Sequence, residues 1–259
     1  MLFENILYEV KESLAKITLN QPDRRNPLSR QTLKEIIEAL DRSKNDTDVR
    51  VIVITGAGDK AFCAGADINE FKGNTVLENR EQYGLYAKLC LTFPSLGKPS
   101  IAAVNGLALA GGCGLAIYPD ITIASENARF GVPEINVGIW PMMVSASLMR
   151  TVGRKKALEL MCTGEMIDAH EAQRIGLINR VVPADKLEST VTELAEKFKH
   201  KSPAIMRLGL DAFYTMADMD YSKAVIYLRE MVALLLNTED SQEGVMAFLE
   251  KRKPKWKGK

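Results

Sequence analysis

Residues 101–120, IAAVNGLALAGGCGLAIYPD, are almost wholly apolar, yet glycine recurs in them at Gly106, Gly111, Gly112 and Gly114. Such a run can be a membrane helix, a buried strand followed by a helix, or a backbone shaped to touch a ligand. A membrane span needs about 20 apolar residues, but Asn105 and Asp120 interrupt this run and Pro119 would break a helix. Residues 101–104 precede an Asn-Gly turn signal, as a short buried strand does. We therefore predict a strand, a loop and a buried helix, and no membrane segment.

The charge balance of the chain limits its partners. The 259 residues carry a formal net charge of +1, with 46% hydrophobic and 26% charged residues. This composition is ordinary for a globular protein, and a net charge near zero gives no global field that attracts nucleic acid or a membrane surface. We therefore expect no nucleic-acid partner.

The cysteines and the first residues bear on compartment and metal binding. The four cysteines are widely spaced, without a CxxC pair or a Cys/His cluster, at Cys63, Cys90, Cys113 and Cys162. This spacing favours free thiols in a reducing compartment and predicts neither a disulfide framework nor a metal site. Acidic residues at Glu4, Glu9 and Glu12 interrupt any secretory signal. We expect a cytoplasmic location and no bound metal.

The order of predicted elements indicates an α/β core followed by helices. Alternation predicts a strand at residues 14–19, apolar spacing predicts a helix capped by Ser29, and VRVIVI and SIAAV are typical of buried strands. A short strand in residues 120–131, a helix at 145–162 broken near Gly153, a short helix capped by Asp168 and a strand in LINRVVP follow. Helices alone are predicted beyond Pro183, which indicates an α/β core with a helical C-terminal portion.

Two glycine-bearing stretches each follow a buried strand. TGAGDKAFCAGADINEF follows VRVIVI, and NGLALAGGCGLA follows SIAAV. A loop that leaves a strand and enters a helix presents free backbone N–H groups, and glycine lets another molecule approach them closely. Two such donors aimed at one point form an oxyanion hole. Taken alone, either stretch is also explained by tight packing.

Other site types find little support. GAGDKAFCAG departs from the dinucleotide pattern GxGxxG, and the sequence contains neither GxxxxGK[ST] nor GxSxG. His170 and His200 lie in strongly polar helical surroundings, which favours solvated side chains over a Ser–His hydrolase.

Three motifs resemble those of the crotonase superfamily, the enoyl-CoA hydratases and isomerases. They are AFCAGADI, IAAVNGLALAGGCGLA and PDITIASENARFGVPEINVGI, in family order and spacing, and the resemblance extends to the terminal FLEKRK. It implies a spiral of ββα units in residues 1–198 and a helical oligomerisation region in residues 199–259. The expected assembly is a homotrimer or a dimer of trimers.

The resemblance also implies a substrate and its binding residues. The substrate would be an acyl-CoA thioester, so coenzyme A arrives with the substrate and no tightly bound cofactor is expected. Its carbonyl oxygen would accept hydrogen bonds from the N–H groups of Ala66 and Gly111. The residues implied along the CoA path are Arg24 or Arg25, Ala64, Asp67 and Ile68, with Phe248 and Lys251 of a neighbouring subunit. The basic end KRKPKWKGK is otherwise interpreted as a solvated tail, a question left open beyond Lys251.

One departure from the family pattern limits the prediction of the reaction. Family hydratases use two glutamates, and the corresponding positions here are Gly114 and Glu134. Hydration needs water activated at C3 and a proton delivered to C2, whereas moving a double bond from C3 to C2 needs one proton shuttle. We favour an enoyl-CoA hydratase with Glu134 as the single acid/base, its pKa raised by burial. A Δ3,Δ2-enoyl-CoA isomerase using Glu134, or a non-catalytic CoA-binding or scaffold protein, are the alternatives.

A second departure concerns the acyl group. Where many hydratases have a glycine-rich turn, this chain has IWPMMVSAS. Trp140 and Met142, together with Gly114, are candidate acyl-pocket residues, and core packing is the alternative for the two larger side chains. Asp120 is expected to be structural.

Overall fold

The computed structural model describes residues 3–259, apart from the side chain of Phe71. Its strands, in chain order, are β1 (Ile6–Lys11), β2 (Leu14–Leu19), β3 (Val51–Gly56), β4 (Ala61–Cys63), β5 (Ser100–Val104), β6 (Leu107–Leu109), β7 (Ile121–Ser125), β8 (Arg129–Gly131), β9 (Met166–Asp168) and β10 (Arg180–Val182). Its helices are α1 (Arg30–Asn45), α2 (Val76–Thr92), α3 (Gly111–Ile117), α4 (Met142–Thr163), α5 (Ala169–Arg174), α6 (Leu187–Lys199), α7 (Pro203–Met216), α8 (Tyr221–Leu236) and α9 (Glu239–Leu249).

The strands form two sheets, and the chain passes repeatedly from one to the other. The first has the order β1-β2-β3-β5-β7-β10 and the second the order β4-β6-β8-β9. Only the β1–β2 and β8–β9 pairs among the described strands are antiparallel. The chain repeats one pattern three times: a strand of the first sheet, a strand of the second sheet and then a helix. The three units are β3-β4-α2, β5-β6-α3 and β7-β8-α4. The predicted spiral of ββα units is confirmed.

Both faces of the first sheet are covered, which explains its unbroken apolar strands. Along β3, Val51 and Val53 belong to one buried cluster with Leu187 and Val191 of α6. The alternate residues Ile52 and Ile54 face the main core, which α1 and α3 also join. Side chains alternate between the faces of a strand, so a strand buried on both faces reads as a continuous hydrophobic run.

The local signals at helix ends behave as the sequence predicts. The Ser29 hydroxyl accepts a hydrogen bond from the Thr32 N–H at the start of α1, and Asp168 accepts one from the Glu171 N–H at the start of α5. Within α4, Gly153 has φ 76° and ψ 164°, which is the expected break. These short-range interactions fix where each helix begins or bends.

The second sheet is the part of the fold that the sequence analysis did not resolve. Its four strands have three residues each. The expectation of one short strand in residues 120–131 is corrected, because this stretch contains both β7 and β8. A three-residue strand is too short to show an alternating pattern, and its pairing is set by tertiary contacts instead.

Asp120 connects the first sheet to the C-terminal helices, in line with the structural role expected for it. Its Oδ2 accepts hydrogen bonds from the N–H and hydroxyl of Ser100, both at 2.7 Å. Its Oδ1 accepts one from the hydroxyl of Tyr214 in α7 at 2.6 Å. The starts of β5 and β7 are thereby fastened to the C-terminal helices.

The C-terminal helices leave many apolar side chains exposed. Helices α7, α8 and α9 pack on one another, and their large exposed hydrophobic residues include Val225, Ile226, Val232, Leu234, Leu236, Val245, Met246, Phe248 and Leu249. Among the helices of residues 3–259, none combines the length and the apolar character that crossing a membrane requires.

Candidate active site

Three neighbouring strands of the second sheet end at the same edge. Strands β4, β6 and β8 are adjacent and parallel, so their carboxyl ends meet there. Ala66 follows the end of β4, Gly111 follows β6 and Glu134 follows β8, each within three residues of its strand. Adjacent strands lie about 4.8 Å apart. The topology therefore brings together the three residues expected to do the chemistry.

Glycines hold the first two of these segments in direct contact. Gly65 has φ +95°, and a β-carbon there would lie 2.8 Å from the Ala110 β-carbon and 3.3 Å from the Gly111 nitrogen. A β-carbon on Gly112 would lie 2.1 Å from the carbonyl oxygen of Cys63. Only glycine fits at these approaches, so the backbone around Ala66 packs against the start of α3.

Two amide groups remain available at this contact. Among the hydrogen bonds of residues 3–259, none uses the N–H of Ala66 or of Gly111 as donor. Ala110, just before α3, has φ 53°, and its own N–H donates to the Gly131 carbonyl at 2.8 Å. That bond ties the turn to the end of β8 and orients the next amide. Unpaired N–H groups at one place are what an oxyanion hole requires.

Glu134 presents a buried carboxylate beside this turn. It lies in the 3-10 helix Pro133–Val137, and its Oε2 is buried with no hydrogen-bond partner among the described residues. Burial raises the pKa of the Glu134 carboxyl. Burial, and then the negative charge of Glu134, also raise the pKa of Cys113 to about 12. The charge of Glu134 therefore reaches the thiol of Cys113 in α3. A carboxyl group with a raised pKa and one buried oxygen without a partner suits proton transfer.

Two tyrosine hydroxyls fill the space beside Gly114. A β-carbon at residue 114 would lie 2.6 Å from the Tyr118 hydroxyl and 2.7 Å from the Tyr86 hydroxyl. Tyr86 donates a 2.5 Å hydrogen bond to the Gly111 carbonyl oxygen, and the two hydroxyls are 3.5 Å apart. Burial raises the pKa of both phenols, so both stay protonated at neutral pH.

Sequence reasoning did not find these tyrosines. Tyr86 lies in α2 and Tyr118 follows α3, and no motif marks either of them. The one signal was indirect, since a glycine that replaces a larger residue leaves room for other side chains.

Comparison with known proteins identifies the family. The sequence profile described as enoyl-CoA hydratase/isomerase matches residues 9–259. The short-chain-enoyl-CoA hydratase of Clostridium acetobutylicum is 40% identical over 254 residues, which cover 98% of this chain and 97% of that protein. The crotonyl-CoA hydratase of Syntrophomonas wolfei is 40% identical over 98% of each chain. The crystal structure of enoyl-CoA hydratase from Bacillus anthracis has a TM-score of 0.94 and 35% identity, covering 99% of this chain and 100% of that one.

The chain belongs to the enoyl-CoA hydratase/isomerase family. The resemblance predicted from the three motifs is thereby confirmed.

The residues expected along the CoA path of this family lie close together. Arg24 forms a 2.5 Å ion pair with Asp67, and the Arg25 carbonyl accepts a 3.0 Å hydrogen bond from the Ala64 N–H. Burial opposes ionisation of Asp67, but hydrogen bonds from Arg24 and Asn69 outweigh it and lower the pKa of the Asp67 carboxyl. Ile68 is 70% exposed beside them. The loop that follows β2 is thus fixed against the loop that follows β4.

The residues expected at the acyl pocket and in a neighbouring CoA site lie partly buried or exposed in this chain. Trp140 is partly buried against the core, and Met142, the first residue of α4, is 70% exposed. Phe248 in α9 is 82% exposed, and Lys251 follows that helix with φ 53°. Their roles at the acyl group and in a neighbouring CoA site stay predictions.

Proposed function

We propose that this protein adds water to a short-chain 2-enoyl-CoA. The observation that carries the proposal is the buried Oε2 of Glu134, which has no hydrogen-bond partner among the described residues, at the same sheet edge as the two unpaired amides of Ala66 and Gly111. The names of the relatives from Clostridium acetobutylicum and Syntrophomonas wolfei support hydration and a short acyl chain.

In the proposed reaction the thioester carbonyl oxygen accepts hydrogen bonds from the N–H groups of Ala66 and Gly111. These donors draw electrons from the conjugated double bond, so C3 becomes electrophilic. Glu134 takes a proton from water as the water oxygen bonds to C3, and the electrons of the double bond move to form the thioester enolate. The protonated Glu134 then gives its proton to C2, which restores the carbonyl and the free carboxylate.

In this proposal Tyr86 positions the water in place of the missing second carboxylate. Its hydroxyl lies where a side chain at residue 114 would begin and donates to the Gly111 carbonyl. The lone pairs of the Tyr86 hydroxyl oxygen can accept a hydrogen bond from the water that Glu134 activates. A protonated phenol cannot serve as the base at pH 7, and in this proposal Glu134 carries both protons.

Isomerisation of a 3-enoyl-CoA is the second candidate, and Gly114 favours it. With a single carboxylate, Glu134 can remove a proton from C2 and return it to C4 without any water. The same two amides would stabilise the same enolate. A non-catalytic CoA-binding role is the remaining alternative, since one family carboxylate is absent.

One experiment separates these functions. Crotonyl-CoA and 3-butenoyl-CoA are incubated separately with the protein, and because the two isomers have the same mass, the products are separated by liquid chromatography before mass spectrometry. We expect crotonyl-CoA to gain the mass of one water, with loss of this activity in Glu134→Gln. Conversion of 3-butenoyl-CoA without a gain of water would make the protein an isomerase. Binding of both thioesters without turnover would make it a CoA-binding protein.

Tyr86→Phe tests the role of the tyrosine. We expect hydration to slow by about tenfold, as for the loss of one hydrogen bond to the water of about 1.4 kcal/mol, while exchange of the C2 protons of saturated butyryl-CoA with solvent, which needs no water, changes little. Tyr118→Phe is the matched control, because Tyr118 is a second buried phenol in the same cluster. Equal losses of hydration and exchange in Tyr86→Phe would assign Tyr86 a purely structural role.

The proposal includes an assembly and a location. We propose a homotrimer or a dimer of trimers built through residues 199–259, with Phe248 and Lys251 of one subunit closing the CoA site of the next. The exposed apolar residues of α8 and α9 support this, because large apolar patches mark contact surfaces. We propose the cytoplasm as the location, since the four cysteines are free thiols.

A further inference from the structure

A large cavity lies at the opposite edge of the first sheet from the candidate active site. Its volume is about 730 Å³. Arg50, which precedes β3, and Pro99, which precedes β5, both line it. These are the amino ends of parallel strands whose carboxyl ends lead toward the active site. A five-residue strand such as β5 is about 17 Å long, so the cavity is separate from the candidate active site.

The cavity concentrates positive charge in a chain whose net charge is only +1. Its lining includes a single carboxylate, that of Asp211, and six cationic side chains: Lys44, Arg50, Lys98, Lys201, Arg207 and Lys257. Low-dielectric walls around charges of one sign focus the electric field within a concave site.

Several of these cations lack an acidic partner. Within residues 3–259, no carboxylate lies within 4.0 Å of the charged nitrogens of Lys44, Arg50, Lys98 or Lys201. Arg207 approaches Asp211 only at 3.9 Å. Most of the positive charge is therefore available to a ligand.

Backbone groups position two of the cations, Lys98 through hydrogen bonds and Arg207 through contact of its stem with Gly97. Lys98 donates hydrogen bonds to the carbonyl oxygens of Ser43 at 2.6 Å and Asp46 at 2.5 Å. Gly97 has φ +62°, and a β-carbon there would lie 2.9 Å from the Cγ of Arg207. Burial lowers the pKa of Lys98; the negative charge of Asp46 opposes this, and the charges of Arg50 and Arg207 lower the pKa further. These groups are thus close enough to repel one another.

The basic C-terminal end forms one wall of the cavity. The fully buried carboxylate of Asp240 accepts hydrogen bonds from the Ser202 hydroxyl at 2.5 Å, from the Lys257 N–H at 2.6 Å and from the Gly258 N–H. Trp256 donates its indole N–H to the His200 carbonyl at 2.8 Å. These hydrogen bonds anchor the tail beyond Lys251 near the start of α7, although all of its residues except Trp256 are exposed.

We propose that this cavity binds a nucleoside polyphosphate, with its phosphates held by Arg50, Lys201 and Arg207. Arginine and lysine are the side chains that bind phosphate best in proteins. Small-molecule sites typically have volumes of about 300 to 1,000 Å³, and this cavity lies within that range. Phe198 and Met206, which also line it, offer an apolar surface for the base.

The test is isothermal titration calorimetry of the full chain with ATP, pyrophosphate and adenosine at about 150 mM salt. The same titrations are run on Arg24→Gln, which weakens the proposed CoA site and leaves the cavity intact, and ATP should bind this variant with the native Kd. We expect ATP to bind, pyrophosphate to bind more weakly and adenosine to give no heat. The double variant Arg50→Gln/Arg207→Gln should raise the Kd for ATP by about tenfold or more, which corresponds to about 1.4 kcal/mol.

The controls separate binding from folding and from overall charge. Gln retains the aliphatic stem that packs on Gly97, and Lys201→Gln is a second variant at an exposed position. Lys11→Gln/Lys34→Gln removes two exposed cations elsewhere and should leave the Kd unchanged. Absence of ATP binding, equal binding by the double variant and the native protein, or adenosine binding as tight as that of ATP would each overturn the proposal.

Discussion

The hydroxyl of Tyr86 lies 2.7 Å from the point where a β-carbon on Gly114 would stand. The hydroxyl also donates to the carbonyl of Gly111, at the turn that presents one of the two free amides. The position at which family hydratases have a glutamate is therefore closed by a phenol that is itself bound to the active-site turn.

Gly114→Ala should destabilise the protein. The new methyl group would meet the hydroxyls of Tyr86 and Tyr118, and overpacking of a core typically costs about 1–3 kcal/mol. The gain in helix propensity offsets only about 0.5–1 kcal/mol of this cost. Denaturant unfolding measures the difference. Gly84→Ala is the control, since a β-carbon on Gly84 would have no neighbour within 4 Å, and this variant should be neutral or stabilising.

Glu134→Gln should abolish most turnover and remove one limb of the pH profile. Loss of a group that transfers protons slows a reaction by about 100-fold or more. Because the pKa of Glu134 is raised by burial, kcat/KM of the native enzyme should rise with pH through a value above that of an ordinary glutamate. If the acidic limb of the pH profile were still present in Glu134→Gln, that limb would belong to another group.

The same substitution should affect stability in the opposite direction. The pKa of Glu134 is higher in the folded than in the unfolded state, so the native protein loses stability as pH rises through that interval. Glu134→Gln lacks this loss. Its melting temperature should exceed that of the native protein at about pH 8, and the gap should shrink toward about pH 4. Glu126→Gln, at an exposed position, should show no such pH-dependent gap.

Gly65→Ala should impair both stability and activity. Residue 65 has φ +95°, and its β-carbon would push against Ala110, the residue before the Gly111 amide. Backbone strain of this kind costs about 1–3 kcal/mol, and displacement of one oxyanion donor slows turnover by about 100-fold. Gly176→Ala shares a positive φ but has no neighbour within 4 Å. It should lose stability and keep its kcat.

Arg24→Gln should weaken substrate binding more than catalysis. The guanidinium is held by Asp67 at the proposed CoA path, and its side chain is 52% exposed, which limits the effect to roughly 1 kcal/mol. KM for an acyl-CoA should rise by about fivefold with little change in kcat. Arg154→Gln is an exposed control. A fall in kcat with unchanged KM would contradict the assigned position.

Much of the fold follows from local sequence signals. The alternating residues of β2, the Ser29 cap of α1 and the positive φ of Gly153 within α4 are short-range features that a single sequence reveals. The strands of the second sheet could not be predicted in this way. A strand such as β8 is defined by its neighbours β6 and β9 and is too short to show a sequence pattern.

The site divides in the same way. Ala66, Gly111 and Glu134 could be named from motifs, since each lies in a contiguous stretch that resembles the family. Tyr86 could not, because its contact with Gly114 joins residues 28 positions apart through the packing of α2 on α3. The basic cavity was missed for a similar reason: it is assembled from four separate parts of the chain.

The two amides and the carboxylate come from three successive ββα units, one group from each. A change in one connecting segment can therefore alter a single participant in the reaction while the other two stay in place. Such modularity would let evolution revise the chemistry step by step on an unchanged scaffold, and the exchange of an acidic side chain for a phenol beside α3 has the form of one such revision.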